Sequence, residues 1–135
     1  MDRTQIMDIL PHRDSMLLLD GAERDGDTAR GTYNVRGGEW FLDGHFPGDP
    51  VVPGVVLCEI MAQSVCVLLE GRMSGKTPYL TGIDGARFKS AARPGDVIRT
   101  RCVITKQRPP FYFAKGEAYI GEKLCAKADF SFYVL

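Results

Sequence analysis

Two residues near the middle of the chain have side chains that could move protons on a bound substrate. Glu59 lies within the apolar run of residues 55–72, where a carboxylate withdrawn from water is costly unless it is paired or keeps its proton. His45 lies in a glycine- and proline-rich stretch just upstream. Histidine titrates near neutral pH and is the commonest general base, so the two residues supply a candidate base and a candidate acid.

The start of the apolar run supplies a third candidate group. It reads Pro53-Gly54, where proline suits the edge of a helix and glycine lets a ligand approach the backbone closely. The free N–H groups and positive dipole end of such a helix would polarise a carbonyl oxygen. A base, an acid and an oxyanion site together can remove a proton next to a carbonyl and expel a hydroxyl. The chain has no Gly-x-Gly-x-x-Gly, P-loop or Gly-x-Ser-x-Gly motif to favour another chemistry.

Each of these residues also has an ordinary structural interpretation. Gln63 follows Glu59 by four positions, on the same face of a helix, so the two could form a hydrogen-bonded structural pair. A lone histidine in a loop is more often merely exposed. The nearby Glu59 favours the catalytic interpretation of His45.

Residues 55–72 predict a buried helix, because the run is too long and too uniformly apolar for a strand, and Gly71 is a suitable end. A helix that is apolar on nearly all sides must be covered on most of them. A sheet covers one side only, so the other side needs a thick loop or another subunit. We therefore expect a dimer.

The remaining periodicity predicts strands and an α+β fold. Residues 28–36 alternate between small or apolar and polar side chains, and the Asp25-Gly26 turn links them to the apolar run 16–19. Three later runs predict an antiparallel meander, at residues 96–105, 111–120 and 124–135.

Composition limits the class of protein. With 44% apolar and 25% charged residues, the chain is expected to fold as one domain over residues 1–135. The N-terminus lacks the pattern of a signal peptide and no apolar run is long enough to span a membrane, so we expect a cytoplasmic location without membrane insertion. The spacing of the cysteines predicts neither a metal site nor disulfides, but rather small buried hydrophobes.

Charge is balanced overall but locally uneven. The formal net charge is zero, and we expect no nucleic-acid partner. Between Ala86 and Arg108, however, basic residues far outnumber the single acid Asp96. This segment could attract an acidic partner or a phosphate, or its basic side chains could simply face water.

A longer pattern surrounds His45 and Glu59. Residues 41–55 read Phe-Leu-Asp-Gly-His-Phe-Pro-Gly-Asp-Pro-Val-Val-Pro-Gly-Val, and residues 59–63 read Glu-Ile-Met-Ala-Gln. The pattern closely resembles the signature of the FabZ-type 3-hydroxyacyl-[acyl-carrier-protein] dehydratases, and shorter landmarks extend the resemblance over almost the whole chain. It implies a hot-dog fold, in which an antiparallel sheet wraps a long central helix, and dehydration of (3R)-hydroxyacyl chains in fatty acid biosynthesis.

The resemblance also implies roles for single residues in a site at a dimer interface. His45 of one subunit would take the C2 proton, Glu59 of the other would protonate the departing C3 hydroxyl, and the Gly54 N–H would bind the thioester carbonyl. Other residues would line or border the acyl tunnel, with Tyr79 as its gate: Pro11, His12, Phe46, Pro47, Val55, Gln63 and Tyr79.

The resemblance implies partners as well. The substrate would arrive on the phosphopantetheine arm of acyl carrier protein, and no other cofactor is expected. The acidic carrier would contact basic residues of the segment between Ala86 and Arg108, namely Arg87, Lys89, Arg93, Arg99 and Arg101. Relatives often assemble three dimers, so a trimer of dimers is open beside the homodimer.

Departures from the family pattern leave some questions open. Residues 90–92 read Ser-Ala-Ala where Arg-Pro-Val is common, and residues 14–16 read Asp-Ser-Met where Tyr-Pro-Phe is common. The first change removes a proline that usually borders the tunnel, which leaves the preferred chain length open.

Three other functions are alternatives. A sister family that also isomerises the product carries aspartate at the acid position. Glu59 favours plain dehydration, although some members with glutamate isomerise too. A hot-dog acyl thioesterase would use the same helix start to activate a carbonyl towards water, but the histidine motif argues against it. A non-catalytic acyl-binding module is the third.

Overall fold

Six antiparallel strands form one sheet around a central helix in the computed structural model, which describes residues 1–135. The strand order is β1-β2-β4-β5-β6-β3, so that β1 and β3 are the edges. This architecture confirms the predicted α+β class with one long helix. The elements are α1 (Arg3–Ile9), β1 (Gly21–Asp25), β2 (Thr28–Asn34), α2 (Gly54–Cys66), β3 (Pro78–Phe88), β4 (Val97–Arg108), β5 (Phe111–Ile120) and β6 (Lys123–Val134).

The C-terminal half forms the predicted meander. β4, β5 and β6 pair with one another in sequence order, all antiparallel. Along β6, Ala128, Phe130 and Phe132 are buried whereas Lys127 and Asp129 are exposed, which is the alternation of a strand with one face in the core. The buried face of the meander is the surface on which α2 packs. All four cysteines are buried thiols, as predicted.

The apolar run forms α2, which starts at Gly54 and ends at Cys66, before the predicted limit at residue 72. A short 3-10 turn, Val67–Leu69, continues it, and Gly71 then takes a φ of 82°, which glycine adopts readily. Pro53 occupies the N-cap position. The two α-helices, of 7 and 13 residues, are too short to span a bilayer.

The chain itself covers the far side of α2. Buried apolar side chains of α1 and of residues 17–19, 41–42 and 52 belong to the same core cluster as the helix. Only Gly54, Val55 and Glu59 of α2 retain exposure. Of the two alternatives, thick loop or second subunit, the structure has the loop. The apolar helix is therefore not a reason to expect a dimer.

Two elements of the N-terminal region differ from the prediction. The first arm of the hairpin is β1, not residues 16–19, because the backbone groups of Met16 and Leu18 bond to the Gln63 side chain instead of to a strand. Helix α1 was not predicted. Its signal is a capping box, in which the Asp2 side chain accepts from the Gln5 N–H and the Gln5 side chain accepts from the Asp2 N–H.

A buried hydroxyl chain fixes α2 on the sheet. The Gly31 N–H donates to Thr100 Oγ1 at 2.9 Å, the Thr100 hydroxyl donates to Ser64 Oγ at 2.7 Å, and Ser64 donates to the Ile60 carbonyl at 2.8 Å. A Cβ on Gly31 would lie 2.7 Å from Thr100 Oγ1, so only glycine allows this approach. The chain sets the position of the helix that carries Glu59.

We expect Thr100→Val to lower the free energy of unfolding by about 1–3 kcal/mol, because it keeps the shape but leaves the buried Gly31 N–H without an acceptor. Urea denaturation measures the change. Thr105→Val, at an exposed position of the same strand, is the matched control and should change stability by less than about 0.5 kcal/mol. Equal losses in the two variants would contradict the role of the hydroxyl chain.

Candidate active site

The Glu59 side chain lines a cavity of about 250 Å³ on one side of α2. Its side chain is 26% exposed, so the carboxyl group is sheltered but reachable. Helix α2 supplies one wall, with residues at spacings of three and four, and the start of β3 supplies another. The lining residues are His12, Glu59, Ala62, Gln63, Cys66, Pro78, Tyr79, Leu80 and Phe132.

Gln63 holds one oxygen of this carboxyl group. Its Oε1 accepts from the Leu18 N–H at 2.9 Å, and its Nε2 donates to the Met16 carbonyl at 2.8 Å and to Glu59 Oε2 at 2.9 Å. An amide oxygen cannot donate, so these partners fix which way round the amide lies. The predicted hydrogen-bonded pair is thus present, and it leaves Glu59 Oε1 without a hydrogen bond in the chain.

His45 is held by the turn that contains it. Its Nδ1 lies 3.0 Å from the Val51 carbonyl oxygen, and the Val51 N–H donates to the His45 carbonyl at 2.8 Å. A carbonyl oxygen only accepts, so Nδ1 must carry the hydrogen, and the lone pair of the neutral ring is on Nε2. The Phe46 ring stacks on the imidazole, with 4.3 Å between centroids. The turn therefore presents Nε2 as a base.

The start of α2 is packed against the end of β3. A Cβ on Gly54 would lie 2.9 Å from the Phe88 ring, so a larger residue would push the ring away from the helix start. The N–H groups of Gly54 and Val55 make no hydrogen bond in the chain, whereas those of Val56 and Leu57 donate to the Pro53 carbonyl at 2.9 and 3.2 Å. The positive end of the helix dipole lies at the same place. Val55 beside it is 75% exposed.

Within one chain, the predicted site residues fall into separate groups. His12, Gln63 and Tyr79 join Glu59 around the cavity, and the Tyr79 ring stacks on Tyr133 with 5.3 Å between centroids. No hydrogen bond or ion pair joins His45 to Glu59. Of the remaining members of the predicted tunnel, Phe46 and Pro47 line one other surface groove and Pro11 lines another, whereas Val55 lines neither groove nor the Glu59 cavity.

The predicted carrier-protein contacts are all exposed but differ in their partners. Arg93 lies 3.1 Å from Asp49 in the turn after His45, and Arg101 lies 3.7 Å from Glu117 on the neighbouring strand. The other three lie on or beside β3 and on β4 and form no ion pair: Arg87, Lys89 and Arg99.

Part of the cavity wall was not predicted. Ala62 and Cys66 follow Glu59 on the same side of α2, a spacing visible in the sequence that we had not used. Burial, with a smaller effect of the Glu59 charge, raises the pKa of the Cys66 thiol to about 12. Cys66 is therefore a neutral wall residue and not a nucleophile. Leu80 and Phe132 come from two different strands, so no sequence spacing could have joined them to the site.

Comparisons with known proteins identify the family of the chain. The FabA-like domain model matches residues 10–129. A 3-hydroxyacyl-[acyl-carrier-protein] dehydratase FabZ from Pelotomaculum thermopropionicum is 42% identical, with 99% of each chain covered. The corresponding protein from Caulobacter sp. (strain K31) is 40% identical, with 100% of this chain and 86% of that protein covered.

Solved structures give the same fold at lower identity. A dehydratase heterocomplex from Xenorhabdus doucetiae is 21% identical with a TM-score of 0.80, over 95% of this chain and 89% of that one. A thioesterase from Haemophilus influenzae is 16% identical with a TM-score of 0.67, over 90% and 80%. These likenesses confirm the hot-dog fold, and the sequence matches place the chain in the FabA-like family, among the FabZ-type 3-hydroxyacyl-[acyl-carrier-protein] dehydratases.

Proposed function

We propose that the chain removes water from (3R)-3-hydroxyacyl chains on acyl carrier protein and forms trans-2-enoyl chains in fatty acid biosynthesis. Relatives at 40% and 42% identity carry this activity in their names. The observation that carries the proposal is that His45 and Glu59 are arranged for opposite roles, one to take a proton and the other to give one. The Nδ1 of His45 bonds to the Val51 carbonyl, which leaves Nε2 as the nitrogen that can take a proton, and Glu59 is a sheltered carboxyl group with one oxygen that makes no hydrogen bond.

In the proposed reaction, His45 Nε2 takes a proton from C2 while Glu59 gives a proton to the C3 hydroxyl. The C–H electron pair becomes the new double bond, the C3–O bond breaks, and water leaves. The Gly54 N–H binds the thioester oxygen, which gains negative charge as the C2 proton departs. Exchange with solvent restores both groups. Side chains and one backbone N–H account for every step, so we expect no cofactor beyond the arm that carries the substrate.

The reaction requires a second subunit in this proposal, because His45 and Glu59 do not meet within one chain. Strand β3 is the place where that subunit fits. It is a sheet edge with unpaired backbone groups, and its apolar side chains Tyr79, Leu80, Ile83 and Phe88 are 42–52% exposed. Pairing two copies along β3 would cover these residues next to Glu59 and Gly54. We propose a homodimer of this kind, with a trimer of dimers as the further assembly that the family resemblance implies.

The carrier protein would approach over exposed basic residues near the same edge. Arg87, Lys89 and Arg99 have no acidic partner and remain available for an acidic surface. Arg93 and Arg101 would first have to give up their ion pairs, or would contribute less.

Residues 1–135 share one core cluster of 36 buried residues, which supports a single catalytic domain.

The direct test is incubation of the purified protein with a ten-carbon 3-hydroxyacyl carrier-protein substrate. We expect a trans-2-enoyl product and water, with the thioester intact. A cis-3 product as well would establish the bifunctional dehydratase/isomerase. Release of free carrier thiol without any enoyl product would replace the proposal by a thioesterase. Binding without turnover would leave only an acyl-binding module.

A further inference from the structure

His12 lies beside Glu59, and the reaction as proposed gives it no task. Its Nε2 lies 3.5 Å from Glu59 Oε2, and both residues line the same cavity. Its other nitrogen, Nδ1, is buried and has no hydrogen-bond partner. A buried N–H without an acceptor costs more free energy than a buried ring nitrogen whose lone pair has no donor. The hydrogen therefore belongs on Nε2, which lies near the carboxyl group.

The surroundings of this ring favour its neutral form. Burial lowers the pKa of His12, with the Glu59 charge opposing the effect and the Arg13 charge adding to it. Cys66 and Tyr79 are the other titratable groups of the cavity wall. A neutral imidazole with its hydrogen on Nε2 is a hydrogen-bond donor towards Glu59 and nothing more.

Two nitrogens therefore lie near the same oxygen. Gln63 Nε2 donates to Glu59 Oε2 at 2.9 Å, in an orientation fixed by Leu18 and Met16, and His12 Nε2 lies 3.5 Å from that oxygen. A carboxyl proton on Oε2 would collide with these N–H groups. A proton that Glu59 passes to the substrate is accordingly placed on Oε1, the oxygen that makes no hydrogen bond in the chain.

We propose that His12 is a positioning residue which, together with Gln63, occupies Glu59 Oε2 and so directs proton transfer to the substrate through Oε1. The inference rests on the proposed dehydration. It requires no chemical change at His12 itself, which acts only through Glu59. N–H donation also stabilises the carboxylate that forms when Glu59 has given up its proton.

A matched pair of variants tests this role. His12→Gln places an amide N–H near the position of Nε2, whereas His12→Leu has a similar volume and no donor. We expect His12→Leu to lower kcat by about tenfold to a hundredfold, the size of a hydrogen bond to a charged group, with KM changed by less than about threefold. His12→Gln should retain kcat within about threefold of the unchanged protein.

The pH dependence separates positioning from packing. Without the donor, the alkaline limb of the pH–rate profile, where the acid loses its proton, should move up by about one pH unit in His12→Leu and stay in place in His12→Gln. If His12 had only a structural role, the rate of His12→Leu would fall by the same factor at every pH and the alkaline limb would stay in place. Equal activities for the two variants, or an unmoved limb in His12→Leu, would overturn the inference while the dehydration itself stands.

A second measurement does not depend on how the variants fold. The nitrogen chemical shifts of histidine-labelled protein report which ring nitrogen carries hydrogen. We expect His12 to be neutral and protonated at Nε2 at neutral pH. Protonation at Nδ1 would overturn the inference. If the unchanged protein formed no enoyl product, the proposed dehydration would be wrong, and the role of His12 in it would be wrong as well.

Discussion

His45→Ala should lower turnover of a 3-hydroxyacyl carrier-protein substrate by roughly 10²–10⁴-fold, the loss typical of a general acid or base. The Nδ1 of the imidazole bonds to the Val51 carbonyl, so Nε2 is the ring nitrogen left to take the C2 proton, and the methyl group of alanine cannot replace it. Steady-state kinetics with the enoyl product as readout measure the effect. The thermal unfolding midpoint should change little, because the side chain lies in an exposed turn outside the core.

His45→Asn is the matched control for this variant. Its side-chain amide can replace Nδ1 as the donor to the Val51 carbonyl, which keeps the turn closed, but it has no base at the position of Nε2. Both variants should therefore lose activity to the same extent. If His45→Asn stayed near full activity, the turn rather than a base would be what the reaction needs.

Glu59→Gln should produce a loss of similar size, again roughly 10²–10⁴-fold in kcat. The amide oxygen can still accept from Gln63 Nε2, so the contacts that hold the side chain remain, but an amide does not give a proton to a departing hydroxyl. The proposed loss is of a group that acts in the transition state, so KM should change far less than kcat. Kinetics over a range of substrate concentrations separate the two.

Glu59→Asp is the control that keeps the acid. It retains a carboxyl group but withdraws it by one methylene from Gln63 and the cavity, so activity should fall between those of the unchanged protein and Glu59→Gln. Equal activity in Glu59→Gln and the unchanged protein would show that Glu59 and Gln63 are only the structural pair that their spacing first suggested.

The sequence predicted those parts of the molecule whose cause is local. The alternation along residues 124–135 and the apolar run from residue 55 correctly gave β6 and α2, because burial of one face imposes a period on the side chains. The roles of His45, Glu59 and Gly54 came from a contiguous motif and remain predictions. Helix α1 had a usable local signal too, the Asp2 and Gln5 capping box.

The rest depended on contacts between distant residues. Strand β3 carries little alternation because it is an exposed edge, so its register with β6 is not readable from its own side chains. The segment around Met16 and Leu18 looked like a strand but bonds to Gln63, a partner that is far away in sequence. His12 likewise lies beside Glu59 although the two residues are far apart in the sequence.

The central claim is that His45 and Glu59 of one working site come from different chains, and two purified heterodimers with separate affinity tags test it. The first joins a His45→Ala chain to a Glu59→Gln chain. The second joins a chain with both substitutions to an unchanged chain. At positions 45 and 59, each heterodimer contains one His, one Ala, one Glu and one Gln. Differences in folding or in substrate binding between the two heterodimers therefore cancel.

We expect the first heterodimer to have one intact site, and thus about half of the activity of the unchanged dimer, and the second to have almost none. The opposite result, an inactive first heterodimer and a half-active second one, would place the base and the acid on the same chain and rule out a site shared between subunits.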